Sequence, residues 1–169
     1  MKQEFQTHPF GPIYNKDSKI LILGSFPSVK SRDESFFYAH KQNRFWKVIQ
    51  TITNFDGVLE TNEEKTRMLL ESQIALWDVI ASCGIIGSSD ASITNVKPND
   101  LREIIHHSKV KQIFCNGATS FNLYRKYVEK DLGIKAVKLP STSPANAAWS
   151  IEQLIHTWDS EITPYLLLK

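Results

Sequence analysis

The residues best suited to chemistry lie in three short segments rich in hydroxyl and amide side chains. The first, Gly24-Ser25-Phe26-Pro27-Ser28, follows an apolar run. Its glycine permits close approach of a ligand, its proline fixes the loop shape, and such loops bind phosphate or other polar groups through backbone N–H groups. Glycine and proline also punctuate ordinary turns, so a plain strand-to-turn connection is an equal alternative.

The second segment, residues 36–46, interleaves aromatic residues with cationic and amide residues. This mixture suits stacking on a nucleobase together with contact to phosphate. Phe45 and Trp46 follow helical spacing, which favours the core face of a helix for these two. Tyr38 and Asn43 precede or open that helix and are therefore the candidates for ligand contact.

The third segment, residues 139–146, places three hydroxyl residues between two prolines. A stiff loop of small residues can enter a DNA minor groove, where prolines and apolar side chains serve as wedges. Taken alone, the segment is more typical of a proline-rich loop that caps the following helix, because serine and asparagine are good N-cap residues.

A serine nucleophile with a histidine base is a competing interpretation of these hydroxyl-rich loops. The candidate bases are His8, His40, His106, His107 and His156. The Gly-x-Ser-x-Gly turn of serine hydrolases is missing from the sequence, and no histidine stands in a known triad frame. Nucleophilic catalysis by serine is therefore disfavoured.

Short apolar runs alternate with helical patterns and indicate the scaffold that positions these loops. We expect strands at residues 19–23, 74–80, 110–115 and 136–139. We expect helices from residue 43, over 63–71, near 99–100, near 119 and from 147 to about 164, with a loop over 82–92. This alternation favours a parallel sheet, whose ligands bind beyond the carboxyl ends of the strands. Residues 24–28, 116–119 and 140–146 emerge at that edge.

Composition narrows the class of protein. The 169 residues, 41% hydrophobic and 22% charged, fit a single globular domain over residues 1–169. A formal charge of +2 is too small to indicate a nucleic-acid partner by itself. Cys83 and Cys115 lack companion ligands at zinc-site spacing, so we expect reduced core cysteines. No segment is long and apolar enough for a signal peptide or a membrane span, which predicts a cytoplasmic protein without membrane contact.

Together, the three segments resemble the uracil-DNA glycosylase superfamily. Gly24-Ser25-Phe26-Pro27-Ser28 matches its first signature motif, and Leu139-Pro140-Ser141-Thr142-Ser143 matches its last. Between them, residues 38–49 resemble a segment of the mismatch-specific branch. Residues 76–79, 87–93 and 140–146 are most similar to hypoxanthine-DNA glycosylases, and the likeness covers about residues 9–149.

The resemblance implies both a fold and an activity. The fold is an α/β class, three-layer α/β/α sandwich with a central four-stranded parallel sheet. The activity is that of a monofunctional DNA N-glycosylase, which flips out a deaminated base, preferably hypoxanthine, and hydrolyses its N-glycosidic bond to leave an abasic site. No cofactor and no metal are implied, and we expect a monomer whose partner is DNA containing a deaminated base.

The resemblance also implies roles for single residues. Phe26 stands where most branches have a polar residue that positions the attacking water, and Leu139 stands where the best-known branch has histidine. In the hypoxanthine branch an asparagine takes over, which makes Asn43 the catalytic residue, orienting the water or contacting the base.

The remaining roles follow from the same motifs. Tyr38 is expected to stack on the flipped base and Asn116 to read its edge, with Ser25 and Phe26 completing the base site. The serines of the first and last loops are expected to contact the flanking phosphates, and residues 144–146 to plug the gap left by the base. The DNA-binding set is Ser28, Ser141, Thr142, Ser143, Pro144 and Asn146.

Two alternatives remain open from the sequence. The same fold could act on uracil or on G·U and G·T mismatches, although Phe26 deprives a uracil enzyme of its usual water-positioning residue. The chain could also be a non-catalytic DNA-binding module that keeps the scaffold, since both standard polar catalysts are missing.

Overall fold

The computed structural model describes residues 2–168, in which strands and helices alternate along most of the chain. The strands are β1 (Glu4–Thr7), β2 (Ile20–Gly24), β3 (Ile74–Asp78), β4 (Ile80–Ile85), β5 (Thr94–Pro98), β6 (Gln112–Asn116) and β7 (Ala136–Leu139). The helices are α1 (Val29–Glu34), α2 (Phe45–Thr53), α3 (Asn62–Glu71), α4 (Arg102–His106), α5 (Ala118–Tyr127), α6 (Glu129–Leu132) and α7 (Ile151–Leu166).

Four strands form a central parallel sheet in the order β3-β2-β6-β7. Every residue of β2 and β3 is buried, so both faces of the sheet are covered, as continuous short apolar runs predict. The register pairs Gly24 with Asp78 and Asn116 with Leu139. The strands therefore end level with one another, and the predicted four-stranded parallel sheet with flanking helices is confirmed.

A second sheet, which the sequence did not predict, is antiparallel with the order β1-β4-β5. Its outer strands β1 and β5 are mostly exposed and polar, so they lack the apolar alternation that reveals a strand.

Two predictions about residues 74–92 were wrong. The single strand expected over 74–80 is the whole of β3 and the first residue of β4, and the loop expected from residue 82 starts only after Ile85. The chain bends at Val79, whose N–H donates to the Gly24 carbonyl at 2.8 Å, while the Ile80 N–H donates to the Ser25 carbonyl at 3.1 Å. These bonds hold the bend beside the end of β2, and β4 then pairs with β1 and β5 in the second sheet.

The last helix also differs from its prediction. It begins at Ile151, not at residue 147, because the Ser150 hydroxyl accepts from the Gln153 N–H and the Gln153 side chain accepts from the Ser150 N–H. This capping box is a stronger start signal than a run of alanines. The helix continues through Pro164 to Leu166. Within residues 2–168, no helix combines the length and the apolar character needed to cross a bilayer.

Helix α7 links the core to the loop that follows β7. It packs against α2, where Phe45 meets the fully buried Trp158 edge to face at 6.0 Å between ring centroids. The Trp158 indole N–H donates to the Pro140 carbonyl at 2.9 Å. Phe45 and Trp46 are buried as predicted, and Cys83 and Cys115 are buried and unpaired, as predicted.

We predict that Trp158→Phe lowers the free energy of unfolding by about 2 kcal/mol, because it leaves a cavity and an unpaired Pro140 carbonyl. Urea denaturation followed by circular dichroism measures the change. The matched variant Trp149→Phe alters a half-buried side chain and should cost less than about 1 kcal/mol. Equal losses in both variants would contradict a special role for the Trp158 bond.

Candidate active site

A pocket of about 450 Å³ opens at the carboxyl edge of the central sheet. It lies where β2, β3 and β6 end and where the loop after β7 begins. Ten of the predicted site residues line it: Ser25, Phe26, Ser28, Tyr38, Asn43, Asn116, Ser141, Thr142, Ser143 and Pro144. The structure thus brings together the three segments that the sequence singled out.

Thr142 connects the two asparagines of the pocket. Its hydroxyl donates to Asn43 Oδ1 at 2.8 Å and accepts from Asn116 Nδ2 at 2.9 Å. The Thr142 backbone N–H donates to Asn116 Oδ1 at 3.0 Å. Because a backbone N–H can only donate, this bond fixes which end of the Asn116 amide is oxygen.

The same reasoning fixes the orientation of Asn43. Its Oδ1 accepts from the Phe45 N–H at 3.0 Å as well as from the Thr142 hydroxyl. The carbonyl oxygen is therefore occupied by two donors at the start of α2. The Asn43 amide nitrogen has no protein partner among residues 2–168, so the group that Asn43 offers to a ligand is a hydrogen-bond donor.

The prediction that Thr142 binds DNA does not fit its position. Thr142 is 0% exposed, because its hydroxyl and its N–H turn inward to the two asparagines. The residue holds these amides in place and has no surface to offer to a phosphate. Its neighbours Ser141 and Ser143 are half-buried and Pro144 is exposed.

Arg44 fastens the loop after β7 to the start of α2, a role that the sequence did not reveal. Its guanidinium group donates to the carbonyls of Ser143 at 2.9 Å and Asn146 at 3.0 Å, and also to that of Trp149. The planar fork of arginine suits several carbonyls at once. An arginine beside Asn43 could suggest a phosphate contact, but its donors serve the protein backbone.

Asn146 is the one predicted site residue that does not line the pocket. Its amide donates to the Ser141 carbonyl at 3.0 Å, and its own carbonyl accepts from Arg44. Asn146 therefore braces the loop from behind. The sequence alone could not show whether Asn146 holds this loop in shape or contacts DNA at the tip of the loop.

The serine hydroxyls of the pocket wall have local partners in this conformation. Ser28 caps α1 by accepting from the Ser31 N–H at 3.2 Å. Ser141 accepts from the Ser143 N–H at 3.1 Å, and Ser143 accepts from the Ala145 N–H at 3.2 Å. These bonds fix the shape of both loops, as expected where serine competes for backbone groups.

Tyr38 lines the pocket. Its ring stacks on Phe45, with centroids 4.2 Å apart and planes 25° apart. The hydroxyl oxygen is buried without a hydrogen-bond partner among the described residues. Burial raises the pKa of Tyr38 far above its usual value, and the nearby Asp78 carboxylate raises it further, while Asn116 acts in the opposite direction. Tyr38 therefore keeps its proton and remains a donor.

Two carboxylates that were not predicted from the sequence, Asp78 and Asp90, also line the pocket. Asp78 ends β3 at the predicted edge, and that position was the available signal. Its Oδ2 accepts from His8 Nε2 at 2.7 Å, and the side chains of both residues are almost fully buried. The sequence suggested His8 only as a candidate base for serine, yet among residues 2–168 no histidine side chain hydrogen-bonds to a serine side chain.

Asp90 lies at the rim of the pocket, in a single 3₁₀ turn at Asp90–Ser92. Its Oδ1 accepts from the Ser25 hydroxyl at 3.1 Å. Although the residue is exposed, the surrounding protein partly desolvates its carboxylate and raises its pKa, and Asp78 adds to this shift, whereas hydrogen bonds from Ser25 and Thr119 oppose it. In the part of the chain that the structure covers, no three His, Cys, Asp or Glu side chains cluster to hold a metal ion.

We predict that Thr142→Val lowers the free energy of unfolding by about 1–3 kcal/mol, because it leaves two pocket amides without their hydroxyl partner. Thr142→Ser keeps the hydroxyl and should cost about 1 kcal/mol or less. Urea midpoints of the two variants give the comparison. A valine variant as stable as the serine variant would show that the hydroxyl does not organise the pocket.

Comparison with known proteins identifies the family of this chain. The family model of the Uracil DNA glycosylase superfamily matches residues 12–160. A hypoxanthine DNA glycosylase of Methanosarcina acetivorans is 27% identical over 141 residues, which cover 83% of this chain and 89% of that protein. A hypoxanthine DNA glycosylase of Methanosarcina barkeri is 27% identical over 138 residues, covering 81% and 86%.

A solved structure shares the fold. The solution NMR structure of a Methanosarcina acetivorans protein, described as a candidate uracil DNA glycosylase, superposes with a TM-score of 0.77 at 27% identity. The superposition covers 92% of this chain and 96% of that one. The family match, which spans most of the chain, shows that this protein belongs to the uracil-DNA glycosylase superfamily.

Proposed function

We propose that this protein is a DNA glycosylase that excises hypoxanthine from DNA. The observation that carries the proposal is the single pocket in which Tyr38, Asn43 and Asn116 meet the two hydroxyl-rich loops. Its volume, about 450 Å³, is in the range of small-molecule sites. The names of the two Methanosarcina relatives support hypoxanthine as the base.

A base inside a duplex is out of reach of such a pocket, so the nucleotide must rotate out of the helix and enter base first. We assign to Tyr38 the stacking on the base, through the ring face away from Phe45. The rim carries Ser25, Ser141, Ser143 and the exposed Pro144, which stand where the flanking strand would pass. Their hydroxyl and backbone groups position phosphates without reading sequence.

The reaction breaks the bond between the sugar C1′ and the base nitrogen. The bonding electrons leave with the base as an anion, and the sugar becomes an oxocarbenium-like cation. A water molecule adds to C1′ and loses a proton to solvent, and the base anion takes up a proton from solvent, so that the products are the neutral base and the abasic sugar. Asn43 offers an N–H donor, since its oxygen is occupied by Phe45 and Thr142. We assign that donor to the negative charge that develops on the departing base.

Asp90 suits the other half of the same step. The sugar follows the base into the pocket and stays near the rim, where the Asp90 carboxylate lies. A negative charge at the rim stabilises the sugar cation and can accept a hydrogen bond from the attacking water. This assignment gives the acceptor role to a carboxylate, because Phe26 has no polar group and the Asn43 oxygen is already bonded.

We expect the protein to release hypoxanthine from an inosine-containing duplex and to leave the strand intact until alkali is added. Parallel substrates with uracil or xanthine measure the base preference, and faster release of uracil would overturn the choice of hypoxanthine. A strand break without alkali would contradict a monofunctional enzyme.

Asn43→Ala serves as the matched variant in this assay. We expect it to lose about 100- to 1,000-fold in single-turnover rate, as for removal of one donor from a developing anion, with a much smaller change in DNA affinity. A binding module without catalysis would instead show no base release in either protein.

A second prediction concerns pH. Because the pKa of Asp90 is raised, its carboxylate becomes protonated as the pH falls through a value above the usual 3.8. The single-turnover rate should therefore fall on the acid side with a midpoint above 3.8. Asp90→Asn should lower the rate about ten-fold or more and remove this acid limb. Persistence of the limb in Asp90→Asn would assign it to another group.

A further inference from the structure

Asp78 is the deepest charged group of the pocket, with a side chain only 6% exposed. Its Oδ2 is bonded to His8 Nε2 at 2.7 Å. The Phe10 N–H donates to His8 Nδ1 at 3.4 Å, which places the imidazole proton on Nε2. The imidazole ring lies 4.5 Å, between centroids, from the rings of both Phe10 and Trp77. The carboxylate is therefore held in one orientation from behind.

The other oxygen of Asp78, Oδ1, has no protein partner among residues 2–168. It lies over Gly24, where a Cβ atom would stand 2.4 Å from Asp78 Oδ1 and 2.9 Å from the Tyr38 hydroxyl. The absence of a side chain at Gly24 lets these two oxygens approach the same point. The floor of the pocket thus offers a free acceptor on Asp78, and the Tyr38 hydroxyl close to it is buried without a partner among the described residues.

The Asp78 acceptor distinguishes base edges by the group on the base ring that faces it. Hypoxanthine and uracil carry a ring N–H beside a carbonyl, the lactam arrangement. Adenine and cytosine, their parents before deamination, carry a ring nitrogen lone pair beside an amino group. A carboxylate oxygen only accepts hydrogen bonds, so it binds the ring N–H and repels the lone pair.

We propose that Asp78, fixed by His8, selects inserted bases that carry a ring N–H on the Watson–Crick edge, so that the pocket binds a deaminated base and rejects its amino parent. The inference rests on the proposed glycosylase function. Depth favours this role over activation of water, because the base edge reaches the floor while the sugar stays near the rim. Guanine and thymine are also lactams, so Asp78 does not exclude them. We expect the shape of the pocket walls to exclude these two bases.

The first test uses the unchanged protein and measures binding without cleavage. The target sugar carries a 2′-fluorine, which blocks release of the base, and stands opposite an abasic analogue, so that base pairing contributes nothing. The target base is hypoxanthine, 1-methylhypoxanthine or adenine. We expect hypoxanthine to bind about 10- to 100-fold more tightly than either of the others, the range for a hydrogen bond to a charged group.

The second test inverts the polarity of the floor. In Asp78→Asn, the His8 N–H holds the amide oxygen, so the amide nitrogen replaces Oδ1 as a donor toward the pocket. The preference for hypoxanthine over adenine should then fall to about three-fold or reverse, and the penalty for the N1 methyl group should shrink. The matched control Asp56→Asn changes an exposed carboxylate away from the pocket and should keep the preference of the unchanged protein.

The outcomes separate this inference from the proposed function. Equal binding of the three bases by a protein that releases hypoxanthine from ordinary duplexes would overturn the inference alone. Undiminished selectivity in a folded Asp78→Asn variant would do the same. A protein that releases no deaminated base at all would overturn both proposals. The test on the unchanged protein holds even where Asp78→Asn fails to fold.

Discussion

The hydrogen bonds of the buried Thr142 hydroxyl are the constraint on which the pocket depends. They join Asn43 and Asn116, which lie 99 and 26 positions from Thr142 along the chain. Because buried polar groups require partners, neither amide can rotate without leaving the other bonds unsatisfied. Arg44 adds a second connection between the same loop and the start of α2 through the backbone carbonyls. The pocket is therefore organised before any ligand enters.

The sequence revealed the parts of the fold whose burial leaves a pattern. Strands β2, β3 and β6 are largely buried, and β7 ends at the buried Leu139. All four are short apolar runs in the sequence, and the shared edge of parallel strands then predicted which loops meet. Strands β1 and β5 are polar and exposed, so nothing in their composition marks them. The pair of His8 and Asp78 spans 70 positions and depends on β1 lying beside β4, two strands that were not predicted. The roles assigned to Asn43, Tyr38 and Asn116 stay predictions.

The distribution of charged side chains in the pocket suits a nucleotide better than a free phosphate ion. The Asp78 carboxylate lies at its floor and the Asp90 carboxylate at its rim, whereas residues 24–28 and 139–146 carry no charged side chain and are rich in hydroxyl groups. A phosphate is repelled by the carboxylates but can contact these uncharged loops. A neutral base and a sugar that becomes cationic are the groups that tolerate the interior. The net charge of only +2 is consistent with an affinity for DNA that comes from shape and local hydrogen bonds more than from a basic patch.

The bend at Val79 couples the position of the outer antiparallel sheet to that of the pocket floor. One residue separates Asp78, at the end of β3, from Ile80, at the start of β4. The backbone N–H groups of Val79 and Ile80 donate to the carbonyls of Gly24 and Ser25, so this connection between the two strands is fixed in position. His8 follows β1 directly and hydrogen-bonds to the Asp78 carboxylate, while β4 continues the backbone that leaves Asp78. The outer sheet is therefore connected to Asp78 through both its side chain and its backbone. A displacement of the outer sheet therefore moves Asp78 at the floor of the pocket, because only Val79 lies between β3 and β4. The strands of this sheet lie at the surface, yet they help to hold the floor of the pocket in position.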